Sequence, residues 1–348
     1  MKIKIITIHC IPNFGSVFQT YALSEHLKTI GYKDVEVIDY RPSYYKPHTF
    51  RAIVAMLLNL RKYIIRKLKF DRFIKSNVTL TPEYRSYNQL KSANLDADCF
   101  IAGGDQLWNI YHDCGKDDAY KLSFTSSRKI SYGTSMGQGG FSTDELNNLA
   151  LKLRDFNAVS VRESVSVTQL NNVGINAVWS VDPVYLLTSK DYGKFTKDIP
   201  YKKYLLVYLV TPSQLLDKVI QSLSEKYGLQ VILCSGFSKK CKCDVFLNDL
   251  GPEEILSYIK HADIVLSASF HATTFSLIFE KQFFTILPDP HTNERIVDLL
   301  NTRGLSDRII SYESDLDFEL SKRIDYSSVI SYDERIAESK RYISDSLT

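Results

Sequence analysis

The start of the sequence lacks the signs of a membrane-spanning or exported protein. Its N-terminal apolar stretch, "KIKIITIH", is too short to cross a bilayer, and it alternates as a β-strand does, unlike the apolar core of a signal peptide. Neither sign of charge is in large excess, because the chain has 43 Lys and Arg and 40 Asp and Glu. This balance argues against a nucleic-acid coat, so an anionic ligand is expected to bind locally. A cytoplasmic protein is the resulting expectation.

Cysteine is scarce and poorly spaced for metal binding. The six cysteines include no Cys-x-x-Cys pair, and Cys241 and Cys243 have one residue between them and no second pair. Buried free thiols are the simpler interpretation. The sequence also lacks a dinucleotide-binding glycine fingerprint, a P-loop and the frame of a Ser or Cys nucleophile. We therefore expect neither a metal nor a cofactor.

What the sequence does contain is a regular alternation of short apolar runs with helix-like patterns. This alternation predicts mostly parallel sheets covered by helices on both faces. It halts in the polar stretch 188–203 and restarts with "YLLVYLV". We predict an α/β protein with two doubly wound, Rossmann-like domains, 1–195 and 196–348, facing across a cleft. The last helix-like stretch, 333–347, is a candidate to cross back onto the first domain.

Turns that follow strands are the candidate site, because open α/β sheets bind ligands at the edge where their strands end. In the first half these turns carry glycines, amides and hydroxyls, a pattern typical of a site for a polyhydroxylated ligand. Each turn taken alone also has a structural explanation. The candidates are Asn13, Gly15, Gln19, Gly103, Gly104, Asp105, Gln106, Asn109, Gly133, Ser135 and Gly137.

Arg162 and Glu163 follow another strand directly, in "AVSVRESV". A planar guanidinium at that place can bind a carboxylate or phosphate through two parallel hydrogen bonds, so Arg162 is predicted to face the cleft and hold an anion. The alternative is a surface Arg–Glu pair, which contributes little to stability.

In the second half, the strand-like run 263–268 is followed at once by a polar segment that contains His271. We expect His271 in the turn after the strand and a helix that begins near Thr273, whose free N–H groups attract an anion. One hydroxyl of the segment is explained by capping that helix. The further candidates in the second half are Ser269, Phe270, Thr274, and Asn293 with Arg295 at another helix start.

Several segments follow one another along the chain in a recognisable order: "FIAGGDQLWN", "ISYGTSMG", "VSVRESV", "DPVYLL" and "ADIVLSASFHATTFSLIFEKQF". In order and spacing they resemble the polysaccharide pyruvyl transferase family over nearly the whole chain. Two positions depart from the family, since Ala272 and Val165 stand where it usually has glycine. The added side-chain atoms are expected to narrow the pocket and alter the substrate.

The resemblance implies transfer of pyruvate from phosphoenolpyruvate onto two hydroxyls of a sugar in a surface or capsular polysaccharide precursor, giving a cyclic ketal and phosphate. It implies that Arg162, Arg295 and the helix start near His271 bind the anionic donor, with the acceptor on the first domain. His271 is then the expected general acid, and a phosphate contact is its competing role. A nucleotide-sugar glycosyltransferase of the two-domain (glycosyltransferase-B-like) type and a non-catalytic glycan-binding protein are the alternatives.

The stretch 51–75 has eight Lys or Arg, a single acid, Asp71, and apolar residues near helical spacing. A surface helix packed on its own domain is the simpler interpretation. The alternative is peripheral attachment to anionic lipid or a partner at the inner face of the cytoplasmic membrane, where a lipid-linked acceptor is found.

Overall fold

The structure is a computed structural model that describes residues 1–46, 49, 54, 56–137, 140–236, 238–287, 294–311 and 320–348. The chain divides into two compact units. The first consists of Met1–Ile53, Phe70–Leu187 and Tyr332–Thr348, and the second of Val54–Lys69 and Thr188–Ser331. The main division thus falls at 187/188, a little before the 195/196 boundary inferred from composition, and the terminal stretch lies in the first unit.

The first unit is built on parallel strands. They are β1 (Lys2–Ile6), β2 (Asp34–Tyr40), β3 (Leu80–Tyr84), β4 (Cys99–Gly103), β5 (Arg128–Tyr132), β6 (Val159–Val161) and β7 (Ala177–Trp179). Five of them form a sheet in the order β3-β2-β1-β4-β5, and β6 pairs with β7. Isolated bridges, Ile130 to Ala158 and Thr134 to Val161, link β5 to the β6 region. The strands are apolar runs without strict alternation because helices cover both faces of the sheet.

The second unit has a six-stranded parallel sheet. Its strands are β8 (Tyr204–Tyr208), β9 (Gln230–Cys234), β10 (Val245–Leu247), β11 (Ile264–Ser267), β12 (Gln282–Ile286) and β13 (Ile309–Ile310). Their order is β10-β9-β8-β11-β12-β13, and every pair is parallel. The two parallel sheets confirm the α/β fold predicted from the alternating pattern.

The helices follow the expected alternation with the strands. They are α1 (Phe14–Thr29), α2 (Leu60–Asn77), α3 (Tyr87–Ser92), α4 (Asp113–Lys116), α5 (Thr143–Leu153), α6 (Ser164–Asn172), α7 (Ser189–Gly193), α8 (Gln214–Tyr227), α9 (Pro252–His261), α10 (Phe270–Ile278), α11 (Glu294–Thr302) and α12 (Asp333–Leu347). In α8, Leu216, Val219 and Leu223 recur at helical spacing and are fully buried. Ser213 caps its start, and Gly228, at φ +60°, ends it.

Two helices join distant parts of the chain. Helix α2 begins in the second unit and continues into the first, where Phe70, Phe73 and Ile74 are buried. Helix α12 belongs to the first unit, and its Tyr342 hydroxyl donates to the carbonyl of Ser131 in β5 at 2.9 Å. The first unit is therefore completed by residues from both ends of this chain.

Candidate functional site

Asn13 ends the loop after β1 and caps α1. Its side-chain Oδ1 accepts hydrogen bonds from the backbone N–H of Gly15 at 2.9 Å and of Ser16 at 3.3 Å. An amide that satisfies two free N–H groups of a helix start stabilises that start. Asn13 and Gly15 therefore lie at the helix start that follows the carboxyl end of β1.

Gln19 connects the loop after β1 with the loop after β4. It is fully buried, and its amide Nε2 donates to Thr7 Oγ1 at 2.8 Å. Gly104 has φ +70°, and a Cβ there would lie 1.6 Å from Gln19 Oε1. A Cβ on Gly103 would lie 2.3 Å from Leu23 Cδ2 on the same helix. Close packing of α1 on the strand ends thus explains both glycines.

The loop after β4 carries a linked set of polar groups. Asp105 accepts a short hydrogen bond from the Ser16 hydroxyl, and its backbone carbonyl accepts from Ser135 N at 2.8 Å. Asn109 Nδ2 donates to Gln106 Oε1 at 2.8 Å. Asp105 and Asn109 are buried, whereas Gln106 is half-buried. The structure therefore brings the predicted polar residues of three post-strand turns into one network at one sheet edge.

Arg162 and Glu163 extend this network to β6. The Arg162 side chain is 1% exposed; its Nη1 donates to Asp182 and its Nε donates to Glu163 Oε1 at 3.3 Å. The Glu163 carboxylate also accepts from the Ser135 hydroxyl and from the Met136 backbone N–H. Arg162 is therefore a buried member of an ion-pair cluster and not half of a surface pair.

The charge of Arg162 is compensated within the first unit. Burial disfavours the charged guanidinium, but the carboxylates of Asp182 and Glu163 outweigh burial and hold the pKa of Arg162 above its usual value. An anion that takes the place of one of the two carboxylates would meet the same guanidinium.

Three residues that sequence reasoning missed lie at the same edge. His9 follows β1 and is fully buried; its Nε2 contacts Asp39 Oδ1 at 2.9 Å and its Nδ1 contacts the carbonyl of Thr7 at 3.2 Å. Arg41 also pairs with Asp39. The available signal was that His9, Asp39 and Arg41 stand at the carboxyl ends of adjacent strands.

The pKa of Asp39 follows from this environment. Burial alone would raise it, but the hydrogen bonds and charges of His9 and Arg41 outweigh burial and hold it below its usual value. The three side chains thus form a charged cluster that fixes the end of β2 against the loop before α1.

In the second unit, β11 leads into α10 through a capped turn. Ser267 Oγ donates to the carbonyl of Tyr208 at 2.7 Å, and Ser269 Oγ accepts from Ala272 N at 3.4 Å. Because Ser269 is the cap, α10 begins at Phe270, and the expected start near Thr273 is wrong. His271 is therefore the second residue of α10 and lies in its first turn, whereas it was expected in the loop before the helix.

The two threonines of this segment point away from solvent. Thr273 Oγ1 contacts Thr285 Oγ1 of β12 at 2.9 Å, and Thr274 Oγ1 donates to the carbonyl of Phe270 at 3.0 Å. Both are at most 2% exposed. Their hydroxyls thus hold α10 on the sheet and within its own first turn.

His271, Phe270 and Arg295 are neighbours. The rings of Phe270 and His271 are edge-to-face with centroids 5.3 Å apart, and the Arg295 guanidinium carbon lies 5.7 Å from the Phe270 centroid. His271 is 8% exposed. A histidine and an arginine that meet one aromatic ring beside a helix N-terminus can serve an anionic ligand. Asn293 lies outside the described residues.

The two departures from the family pattern occupy different environments. Ala272 is fully buried in α10, so its methyl group packs in the interior. Val165, in α6, is 44% exposed. The methyl of Ala272 therefore adds to the packing of the helix, and the side chain of Val165 adds to the surface.

The cysteines are free thiols in this structure. Burial raises the pKa of Cys10 and of Cys99 to about 12, and that of Cys114 to about 11. A thiol with so high a pKa carries little thiolate near neutral pH and is a poor nucleophile.

The two parallel sheets and their carboxyl-end clusters define a glycosyltransferase-B-like fold with Rossmann-like units. A UDP-N-acetylglucosamine 2-epimerase from Rickettsia bellii is similar, with a TM-score of 0.58 and 11% identity, over 100% of this chain and 96% of that one. The Methanocaldococcus jannaschii UDP-GlcNAc 2-epimerase in complex with UDP-GlcNAc and UDP has a TM-score of 0.57 and 14% identity, over 99% and 100% of the chains. Identities this low show a shared fold alone.

The family follows from the sequence model of the polysaccharide pyruvyl transferases, which matches residues 13–290. The chain belongs to this family, and it is a transferase that acts in polysaccharide pyruvylation. No curated protein sequence matches the chain. Within the described residues, no helix has the length and apolar character needed to cross a bilayer.

Proposed function

We propose that the protein transfers pyruvate from phosphoenolpyruvate onto two hydroxyls of one sugar in a surface or capsular polysaccharide precursor. The observation that carries this proposal is the family match over residues 13–290, which includes both the Asp105–Glu163 network and His271. The products are a cyclic pyruvate ketal and inorganic phosphate. No further cofactor is needed, because proton transfer and anion binding suffice for this reaction.

The proposed donor side is the start of α10. Phosphoenolpyruvate carries a carboxylate and a phosphate, and Arg295 together with the helix N-terminus provides positive charge and N–H donors for them. His271 is the proposed general acid. It donates a proton to the methylene carbon of the donor as one sugar hydroxyl adds to the neighbouring carbon. The second hydroxyl then displaces phosphate and closes the ketal ring. Of the two protons that the hydroxyls lose, one restores His271 and the other leaves with the phosphate.

The proposed acceptor side is the polar network of the first unit. Gln106 and Asn109 offer amide groups, and Asp105 and Glu163 offer carboxylates that accept from sugar hydroxyls. Gln106 is the more exposed of the two amides and is the natural first contact for a ligand. Amide and carboxylate groups arranged in this way are typical of sites that bind several hydroxyls.

Arg162 is proposed to bind an anionic group of the donor by exchanging Glu163 for that group. Its contact with Glu163 through Nε at 3.3 Å is the longer of its two ion pairs, so this contact is the one expected to yield. Arg162→Lys keeps the charge and loses the planar fork. We expect a higher KM for phosphoenolpyruvate with little change in acceptor KM. Unchanged donor kinetics would assign Arg162 a structural role only.

The experiment that tests the reaction is incubation with phosphoenolpyruvate and a panel of aryl or lipid-linked glycosides, with phosphate release and product mass as the readouts. Release of one phosphate per ketal formed supports the proposal. Consumption of a UDP-sugar with no requirement for phosphoenolpyruvate would instead identify a nucleotide-sugar glycosyltransferase. Glycan binding without turnover would identify a non-catalytic glycan-binding protein.

The site of action is proposed to be the cytoplasm at the inner face of the membrane, where an acceptor carried on a lipid is accessible. Fractionation of cells that express the full chain, followed by a salt wash, tests this proposal. Protein released from the membrane fraction by salt supports peripheral attachment, whereas recovery only in the unbound fraction contradicts it.

A further inference from the structure

The first half of α2 and the residues just before it present apolar side chains to solvent. Leu57 is 58% exposed, Leu58 80%, Leu60 44%, Ile64 45% and Leu68 58%. These are five of the thirteen large apolar side chains that are exposed in the described residues, and they lie within one short stretch. A concentration of this kind on a surface marks a contact site.

The spacing of these residues makes them a stripe. Leu60, Ile64 and Leu68 are four residues apart and so lie above one another on one side of the helix. The positions that border this side are occupied by Arg61 and Lys67, whose side chains are exposed. We call Leu60, Ile64 and Leu68, with Leu57 and Leu58 before them, the outer face of α2.

The opposite side of the same helical segment is occupied by its own unit. Lys69 Nζ forms an ion pair with Glu254 Oε2 at 2.7 Å, and a Cβ on Gly251 would lie 2.7 Å from Lys69 Cβ. Arg66 lines a small cavity together with Tyr208. The helix is therefore held in place by its basic inner side, and its apolar outer face is left on the surface.

In the second half of α2 the apolar side chains are buried, so exposure of apolar residues is not a property of the whole helix. Phe70, Phe73 and Ile74 are at most 3% exposed, and the ring of Phe73 lies 4.8 Å from that of Phe18. The apolar residues of α2 are thus buried where the helix joins the first unit and exposed only before it.

We propose that the outer face of α2 docks on an anionic phospholipid surface. An interfacial helix buries Leu and Ile side chains at the boundary between headgroups and acyl chains and places Lys and Arg at its flanks, where anionic headgroups attract them. The outer face has both elements, because the exposed Arg61 and Lys67 border the apolar stripe. This inference deepens the proposed function, since a lipid-linked acceptor lies at the same surface.

A second copy of the chain is the less suitable occupant. A two-fold contact through this face would bring Arg61 and Lys67 of one copy towards the same cations of the other. Like charges placed together oppose association. An anionic bilayer satisfies the apolar and the charged groups at the same time.

Vesicle flotation with the full chain tests the proposal. Vesicles of equal parts phosphatidylcholine and phosphatidylglycerol are expected to carry the protein at low salt, and vesicles of phosphatidylcholine alone to carry much less. Each basic residue removed should weaken binding about fivefold, so the Arg61→Gln, Lys67→Gln double variant should bind about twenty-five times more weakly. A matched variant, Lys202→Gln with Lys218→Gln, removes two exposed charges of the same unit and should bind as the wild type does.

The apolar half of the proposal has its own variant. Leu60→Gln, Ile64→Gln and Leu68→Gln together should abolish flotation while the protein keeps its helical circular dichroism, since all three side chains are exposed. The control substitutes Leu151 and Ile330, two exposed apolar residues elsewhere. Equal flotation of the triple variant and the wild type would overturn the proposal, as would a wild-type dimer that becomes a monomer in the triple variant. Flotation is scored without turnover, so loss of pyruvyl transfer and loss of membrane binding are distinguished.

Discussion

Replacing Asp182 is expected to destabilise the first unit severely. The side chains of Asp182 and Arg162 are each 1% exposed, so Asp182→Ala leaves a buried guanidinium with one of its two carboxylates. Breaking a buried ion pair costs about 3–5 kcal/mol, and the remaining contact with Glu163 favours the lower end. Asp182 Oδ1 also accepts from Val184 N at 3.0 Å, so the lost cap adds about 1 kcal/mol. We expect a total of about 4 kcal/mol.

Urea unfolding followed by tryptophan fluorescence measures this effect in the relevant unit, because the only two tryptophans, Trp108 and Trp179, both belong to it. With a slope of about 3 kcal/mol per molar, the midpoint should fall by more than about 1 M. Asp182→Asn keeps the cap acceptor and should lose about 1 kcal/mol less. Asp155→Ala removes a carboxylate that is 84% exposed and should unfold like the wild type.

A midpoint for Asp182→Ala equal to that of Asp155→Ala would refute the reasoning. It would mean that desolvation of the pair cancels the attraction and that Arg162 finds another partner when Asp182 is absent. The same result would also favour a guanidinium that is available to a ligand.

Three further substitutions test other parts of the molecule. His271→Gln should lower kcat by about two to four orders of magnitude with little change in stability, whereas His261→Gln, at an exposed histidine, should leave kcat unchanged; near-normal turnover of His271→Gln would remove its acid role. Gly104→Ala should lower the free energy of unfolding by about 2–4 kcal/mol. This loss should exceed that of Gly174→Ala, because Gly174 shares the positive φ but has no neighbour within 4 Å of an added Cβ. Equal losses would mean that backbone strain alone explains the effect and that the contact with Gln19 adds nothing. The pKa of Asp39 is lowered on folding, so this carboxylate should stabilise the fold above pH about 4 and lose that contribution as the pH falls further. Asp39→Asn should therefore flatten the acid side of a plot of the denaturant midpoint against pH. An unchanged plot would contradict this.

The strands were predictable because they are short apolar runs closed by turn residues. The run before Ser269 ends in β11, and the post-strand turn was correctly placed at that point. The start of α10 was misplaced because Ser269, Thr273 and Thr274 are all able to cap a helix, and only the structure shows that Ser269 does so. The residue types in the segment thus predicted the turn, but they did not show which of the three neighbouring hydroxyl side chains caps the helix.

The partners of charged residues were beyond the reach of the sequence. Arg162 stands beside Glu163 in the chain, which left a surface pair as the alternative to an anion-binding residue, but its other partner is Asp182, twenty residues away. His9 and Asp39 are thirty residues apart and meet because β1 and β2 are adjacent in the sheet. Such contacts depend on strand order, which the alternating pattern of apolar residues does not specify.

The return of α12 to the first unit has a consequence for synthesis on the ribosome. Tyr342 and Ser339 reach Ser131 and the backbone of Val181, so these contacts cannot form until the last helix of this chain has emerged. The second unit has most of its sequence, Thr188–Ser331, available earlier. The nascent chain therefore holds an unfinished N-terminal half while its middle can already fold, and a premature stop before Tyr332 would damage the oldest part of the polypeptide and not the newest.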